Sequence, residues 1–280
     1  MNPIVLAVLI VAGLALAAGL ILAVASVVMA VPRDEKAEAL RAVLPGANCG
    51  ACGKAGCQDF ANACVNADAE AFAHLYCPVG GSKVMNEVAK RLGYSTPEHE
   101  PTVAVLHCNG TCENAPDKVE YIGLQSCRLA NRAFVGKTGC PNGCLRLGDC
   151  VRNCPFGAIE MDDQTGLPRV NPDKCTSCGA CVRICPRGLY EIRPRGKNGV
   201  MVYVACSNKQ KGATARKNCK AACIACMKCT KICPEVTVEE NLSRIPPSVS
   251  AKLYGAELAA GCPTGAIVYT GAKGDKNEQN

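Results

Sequence analysis

A chain of 280 residues with 23 cysteines, no tryptophan and 4% aromatic residues cannot rest on a large aromatic core alone. Cysteine this dense means either a disulfide scaffold in an oxidising compartment or thiolates holding metal in a reducing one, and an odd total cannot pair completely. The composition, with 49% hydrophobic residues and a net charge of +7, excludes collagen-like, coiled-coil and wholly disordered classes.

From Met1 to Pro32 no side chain is charged, and Ile4 to Ala30 is apolar apart from Ser26 and small glycines. As a helix this run reaches about 40 Å, longer than the roughly 30 Å hydrocarbon layer, so it reads as a tilted membrane span. A cleaved signal peptide is the alternative, but no basic residue precedes the run and it exceeds the usual apolar core of such peptides. Arg33, Lys36 and Arg41 follow at once, so the positive-inside rule expects a single pass in the cell (inner) membrane with the bulk of the chain cytoplasmic. Cytoplasm is reducing, which favours metal over disulfides.

Asp34 to Leu44 has helix-forming composition and stops at Pro45-Gly46. There LPGANCGACGKAGC supplies Cys49-x2-Cys52-x4-Cys57, and Cys77 follows in CPVGG. Three close thiolates and one distant one complete a four-cysteine site. Cys64 lies between them outside any motif and reads as a small buried hydrophobe.

The most specific motif is Cys175-x2-Cys178-x2-Cys181-x3-Cys185-Pro186, the bacterial ferredoxin run, in which three cysteines bind one 4Fe-4S cluster and the fourth reaches across to another. A stretched partner lies upstream as Cys140-x3-Cys144-x5-Cys150-x3-Cys154-Pro155. Cross-pairing groups Cys175, Cys178 and Cys181 with Cys154, and Cys140, Cys144 and Cys150 with Cys185.

An internal repeat follows. Cys127, Cys140, Cys144, Cys150 and Cys154 recur 79 residues later as Cys206, Cys219, Cys223, Cys229 and Cys233. The second copy adds Cys226 opposite Leu147, restoring a regular run, so Cys223, Cys226 and Cys229 group with Cys262. Aligning Cys185-Pro186 with Cys262-Pro263 sets Lys252, Gly255 and Leu258 against Cys175, Cys178 and Cys181; one site is erased, and those three positions should tolerate replacement without loss of iron. Four sites of four leave Cys64, Cys108, Cys112, Cys127, Cys206, Cys219 and Cys233, enough for at most a fifth cluster. It would draw on Cys108, Cys112 and Cys127 borrowing Cys140, or on Cys206, Cys219 and Cys233, and the spacing does not choose.

An uncharged N-terminal helix, LPGANCGACGKAGC with CPVGG, and ferredoxin runs in tandem resemble the B subunit of the Rnf ion-translocating ferredoxin:NAD oxidoreductase complex, in its long form because of GCLRLGDCVRNCPFGAI. The resemblance runs from Met1 to about Thr270. It implies an electron-transfer subunit of a translocase, taking electrons from soluble ferredoxin and relaying them to the membrane and peripheral subunits of such a complex, which pumps Na+ or H+.

The residues agree with electron transfer: there is no dinucleotide fingerprint, Walker loop or HExxH, hence no NAD or substrate site of the chain's own. Between Arg128 and Cys233, 19 Lys and Arg face 6 Asp and Glu. Oxidised four-thiolate clusters carry about −2 each, so four would offset about eight of those charges, which removes the case for a nucleic-acid partner. RPRGK at 193–197 and KQKGATARKNCK at 209–220 remain as docks for an acidic ferredoxin. Two other readings are a polyferredoxin of another membrane hydrogenase or dehydrogenase, and a zinc-ribbon binding protein. The expected fold is α+β: a transmembrane anchor (1–32), a small helical 4Fe-4S domain (33–95), two bacterial-ferredoxin-like modules (96–195 and a degenerate 196–270) and a polar tail (271–280). EYIGL and GVMVYVAC read as the short strands before each repeat's first cysteine.

Overall fold

The computed structural model describes residues 2–28, 34–96, 99–133, 136–196 and 199–271, so Arg33, Lys197 and the tail from 272 onward lie outside the described residues. The apolar run forms α1 (Pro3–Val28), with no buried residue and a mean hydropathy of 3.0. Its 26 residues span about 39 Å, long and apolar enough to cross a membrane.

Asp34 caps α2 (Glu35–Val43) by accepting from the Lys36 amide at 2.9 Å. The helix buries Ala37 and Leu40 against Phe60, Ala61 and Cys64 of α3 (Cys57–Val65). After α4 (Ala69–Ala73), α5 (Gly81–Leu92) adds Met85, Val88 and Ala89 at helical spacing and ends at Gly93, whose φ of 77° is the left-handed stop glycine allows. Arg91 ties α5 to the Ala39 carbonyl at 3.1 Å.

The first repeat opens with β1 (Thr102–Leu106) and continues through α6 (Cys127–Ala133), α7 (Asp149–Arg152), β2 (Ile159–Met161), β3 (Pro168–Val170) and α8 (Ala180–Ile184) to β4 (Tyr190–Pro194). The second repeat follows with β5 (Met201–Val204), α9 (Gly212–Asn218), α10 (Lys228–Ile232), β6 (Thr237–Glu239), β7 (Leu242–Arg244), α11 (Ala251–Gly261) and β8 (Ile267–Thr270). Each closes on itself: β1 pairs antiparallel with β4 (Leu106 opposite Tyr190), and β5 with β8 (Val204 opposite Ile267). Inner hairpins pair β2 with β3 and β6 with β7.

GVMVYVAC contains β5, but EYIGL forms no strand: Ile122 and Leu124 are 89% and 72% exposed, with no sheet face to bury them. The opening strand of the first repeat lies some 20 residues earlier, at TVAVL. The 79-residue offset therefore misaligns one pair. β1 runs into Cys108 as β5 runs into Cys206, so Cys108, not Cys127, is the structural counterpart of Cys206.

The repeats join at these strand ends. His107 Nδ1 lies 2.7 Å from the Val204 carbonyl and Nε2 2.8 Å from Glu191 Oε2, while the Asn109 amide donates to Ala205 O at 2.8 Å. Arg193, 3% exposed, donates to the carbonyls of Val202 (3.0 Å) and Ile245.

The cores are unequal. In the second repeat α11 occupies the place of the erased site: Leu258 and Cys233 are both 0% exposed among Val202, Val236, Val249 and Ile267. Gly255 packs so closely on the Tyr269 ring that a Cβ would collide with it. Lys252 lies on the open face of α11, so of the three it alone can be replaced without disturbing the packing. Leu258→Ala is expected to leave iron unchanged while destabilising the second repeat by about 3 kcal/mol, read from urea melts of the holoprotein; loss of four irons would mean that the place holds a cluster.

Candidate iron-sulfur sites

Cys49, Cys52, Cys57 and Cys77 line one cavity together with Phe60, Pro45 and Pro78. Left-handed Gly50 (φ 71°) and Gly53 (φ 77°) turn the loop back on itself, and Asn48 Oδ1 takes the Cys57 amide at 2.9 Å to start α3. Burial pushes Cys77 up against an amide bond from Gly80, and neighbouring Cys52, Cys57 and Cys49 push it further. Cys64, 1% exposed, lies in the helical core with its thiol pushed up to about 12 by burial, then by Cys52 and Cys77.

Three later loops share one backbone. Between their first and third cysteines, positive φ occurs at Arg146 (58°) and Gly148 (75°), Ser177 (57°) and Gly179 (71°), and Ala225 (53°) and Met227 (59°). In each the second left-handed residue caps a short helix, α7, α8 or α10. Cys178 and Cys226 thus hold equivalent places, and Leu147 holds the third.

That difference decides a grouping. Cys144, Cys150 and Cys185 line one cavity, and its fourth cysteine is Cys127 from α6, not Cys140. Leu147 packs instead with Ala130, Leu145 and Cys127. Asp149 fixes the start of α6 by accepting from Ser126 Oγ (3.1 Å) and the Arg128 amide (3.0 Å). Burial raises the Asp149 pKa, but bonds from Arg128, Ser126, Cys127 and Arg152 prevail and hold it below the usual carboxylate value. The Tyr190 hydroxyl donates to Cys150 Sγ at 3.4 Å.

Cys140 faces a third cavity with Cys108, Cys206 and Cys219; Cys144 touches its wall. The site straddles the joint with matched bonds: the Cys144 amide donates to Cys108 Sγ at 3.4 Å, and the Cys223 amide to Cys206 Sγ at 3.3 Å. Asn208 Nδ2 reaches Cys140 Sγ at 3.5 Å. Burial pushes Cys206 up to about 12 despite the amides of Cys223 and Asn208. Neither fifth-cluster grouping expected from spacing lines a single cavity. Cys127 is in the cavity beside this third one, Cys112 is exposed and 3.7 Å from Arg146 Nη1, and Cys233 is sealed in the second core.

Around Cys181, burial and then neighbouring Cys175 and Cys178 push the thiol up to about 12. Cys154 accepts the Ala158 amide at 3.3 Å and packs with Cys175 and Cys181 on the same small core. In the second repeat burial raises Cys223 while the Ala225 and Ser243 amides oppose it, and Cys229 and Cys262 add to the rise. Cys262 is held lower than usual because bonds from Thr264 and the amides of Ile267 and Ala266 outweigh its burial. Cys226 is exposed on its loop.

These settings fit iron-sulfur clusters: convergent thiols, left-handed loops that wrap closely, and N–H groups aimed at sulfur. Among the described residues no three His, Cys, Asp or Glu side chains are placed to hold a single metal ion. The expected basic docks divide. Arg193 is the buried clamp and Arg195 pairs with Asp173 at 2.8 Å, so these two are structural, whereas Lys211, Arg216, Lys217 and Lys220 on and beside α9 are exposed.

A family model described as "4Fe-4S dicluster domain" matches residues 138–189, and one described as "Putative Fe-S cluster" matches 44–72. Over 269 residues the chain is 38% identical to the B subunit of the proton-translocating ferredoxin:NAD(+) oxidoreductase complex of Clostridium ljungdahlii, covering 95% of this chain and 93% of that one. It is 40% identical to the B subunit of the Na(+)-translocating complex of Acetobacterium woodii (89% and 73% covered) and 36% identical to the B subunit of an ion-translocating oxidoreductase complex of Methanosarcina acetivorans (91% and 94%). With two such family models and relatives spanning nearly its whole length, the chain belongs to the family of Rnf complex B subunits.

Proposed function

We propose that the protein is the electron relay of an Rnf-type ion-translocating ferredoxin:NAD oxidoreductase, held at the cell membrane by α1 with the rest of the chain on the cytoplasmic side. Its five four-cysteine sites are Cys49, Cys52, Cys57 and Cys77; Cys127, Cys144, Cys150 and Cys185; Cys154, Cys175, Cys178 and Cys181; Cys223, Cys226, Cys229 and Cys262; and, across the joint, Cys108, Cys140, Cys206 and Cys219. The repeats are tandem ferredoxin-like modules, the second lacking one site. A bound 4Fe-4S cluster supplies a one-electron carrier without proton transfer. The chain's own part is to fix the sulfurs, exclude water from them and offer amides that stabilise thiolate charge. The observation that carries this reading is the shared cavity: the amides of Cys144 and Cys223 each bond a sulfur of the joint, so the first-repeat and second-repeat groups are connected through it.

Reduced ferredoxin docks on the exposed lysines and arginines of the α9 region, and the membrane and peripheral subunits take the electrons near α1. Anaerobic iron and sulfide assay of the full-length protein, with EPR, is expected to give about 20 irons, four for each site. About 16 would empty the joint, and a colourless protein holding zinc would reject the relay.

A further inference from the structure

The relay just proposed, on which this inference rests, brings one of its ligands to the surface. Of the cysteines grouped into its five sites only Cys226 is exposed, while Cys178, at the equivalent place in the first repeat, is 8% exposed. The two loops differ in what meets them. Arg183 of α8 donates to the carbonyls of Cys178 at 3.1 Å and Cys49 at 3.2 Å, so the loop of another cluster site of the same chain lies against the first-repeat loop. Aligning Cys181 with Cys229 sets Lys231 of α10 opposite Arg183, and Lys231 is exposed. The second repeat therefore repeats a surface that, in the first, receives a cluster-binding loop.

Beside the exposed cysteine stands Met227, where the sister loops have Gly148 and Gly179. Its φ of 59° is left-handed, a conformation that costs any residue with a Cβ and costs glycine little. Thr230 Oγ1 donates to the Met227 carbonyl at 2.8 Å and closes the turn. The side chain is 54% exposed, so burial within the repeat does not offset the strain. A thioether on a flexible chain suits a surface that must fit a partner. The charges around it have one sign: from Lys211 to Lys231 there are six Lys and Arg and no Asp or Glu, and all six are exposed. α9 is held to this loop, because Gly212 packs so closely on Ile224 that a Cβ would stand 2.6 Å from its carbonyl oxygen.

We propose that Met227 is the apolar contact of the electron-entry surface, where an acidic soluble ferredoxin seats its cluster-bearing face over Cys226, steered by Lys228, Lys231 and the cations of α9. One electron leaves the ferredoxin cluster, which is oxidised, and reduces the cluster held by Cys223, Cys226, Cys229 and Cys262; no bond or proton changes hands.

The test is stopped-flow reduction of the full-length holoprotein by reduced ferredoxin, with iron content, urea midpoint and the EPR spectrum after dithionite measured alongside. Met227→Gly is expected to keep its iron, its spectrum and a midpoint no lower than wild type, while the half-saturating ferredoxin concentration rises about tenfold. Met227→Leu is expected to stay near wild type, as is Ile122→Ser, on the exposed apolar segment of the first repeat. Added salt should raise the wild-type half-saturation. A Gly variant reduced as readily as wild type, a Leu variant that falls as far, iron lost from the Gly variant, a loss confined to Ile122→Ser, or indifference to salt would each overturn the inference. So would a wild-type dimer that Met227→Gly makes monomeric, which would give the face to a second copy of this chain. A wild-type holoprotein that reduced ferredoxin cannot reduce at all would instead reject the relay itself, so the two failures are told apart.

Discussion

Serine at position 127 is expected to cost the protein about four irons and one EPR signal, as much as serine at Cys150, although no cysteine run includes Cys127. The reason is local. Leu147 stands where the sister loops place Cys178 and Cys226, and the helix that Asp149 anchors brings Cys127 to the same cavity. A hydroxyl is a poor ligand for cluster iron, and the remaining three thiols cannot close the site. The companion variant is more telling: Cys127→Ser with Leu147→Cys restores the regular run and should regain the four irons. Full iron in the single variant would return Cys140 to this group and leave the joint without its fourth sulfur.

Cys52→Ser should remove about four irons as well, but its larger effect is on traffic. The Cys49–Cys77 site begins 21 residues after the end of α1, and it touches the first repeat through Arg183, whose guanidinium bonds the carbonyls of Cys178 (3.1 Å) and Cys49 (3.2 Å). In the proposed relay it stands between the repeats and the membrane. In the assembled complex, onward transfer to the membrane subunits should drop to background while the repeats stay reducible by ferredoxin. Repeats that remain oxidised under excess reduced ferredoxin would show that electrons enter at Cys49–Cys77 and that the proposed order is reversed.

Spacing alone made the anchor, the N-terminal group and the Cys175 run legible, because each is local: a run of uncharged residues, or cysteines within one loop. Groupings that depend on tertiary contact were not. Cys127 keeps the 79-residue offset to Cys206, yet strand pairing makes Cys108 the true counterpart, because the chain from β1 to α6 is longer than that from β5 to α9 and shifts Cys127 out of place. One signal was available: Leu147 breaks the run that Cys226 completes, so some other cysteine had to fill in. Arg193 misled for the opposite reason. A basic cluster reads as surface, and only the fold shows its guanidinium turned inward onto the Val202 carbonyl. His107, too, carried no metal spacing, and its place at the joint comes from β1 and β5 meeting there.

Where the first repeat places Cys175, Cys178 and Cys181, α11 brings Leu258, and the second repeat gathers Val202, Val236, Val249 and Ile267 into one large cluster around its sulfurs. The first repeat divides its packing in two, Ala104, Ile159 and Tyr190 around Cys150 and Cys181, and Ala130, Leu145 and Leu147 beside Cys127. The shape of the second repeat thus depends less on bound metal than that of the first, and through β5 and the Val202 carbonyl it gives the first repeat an edge to pack on.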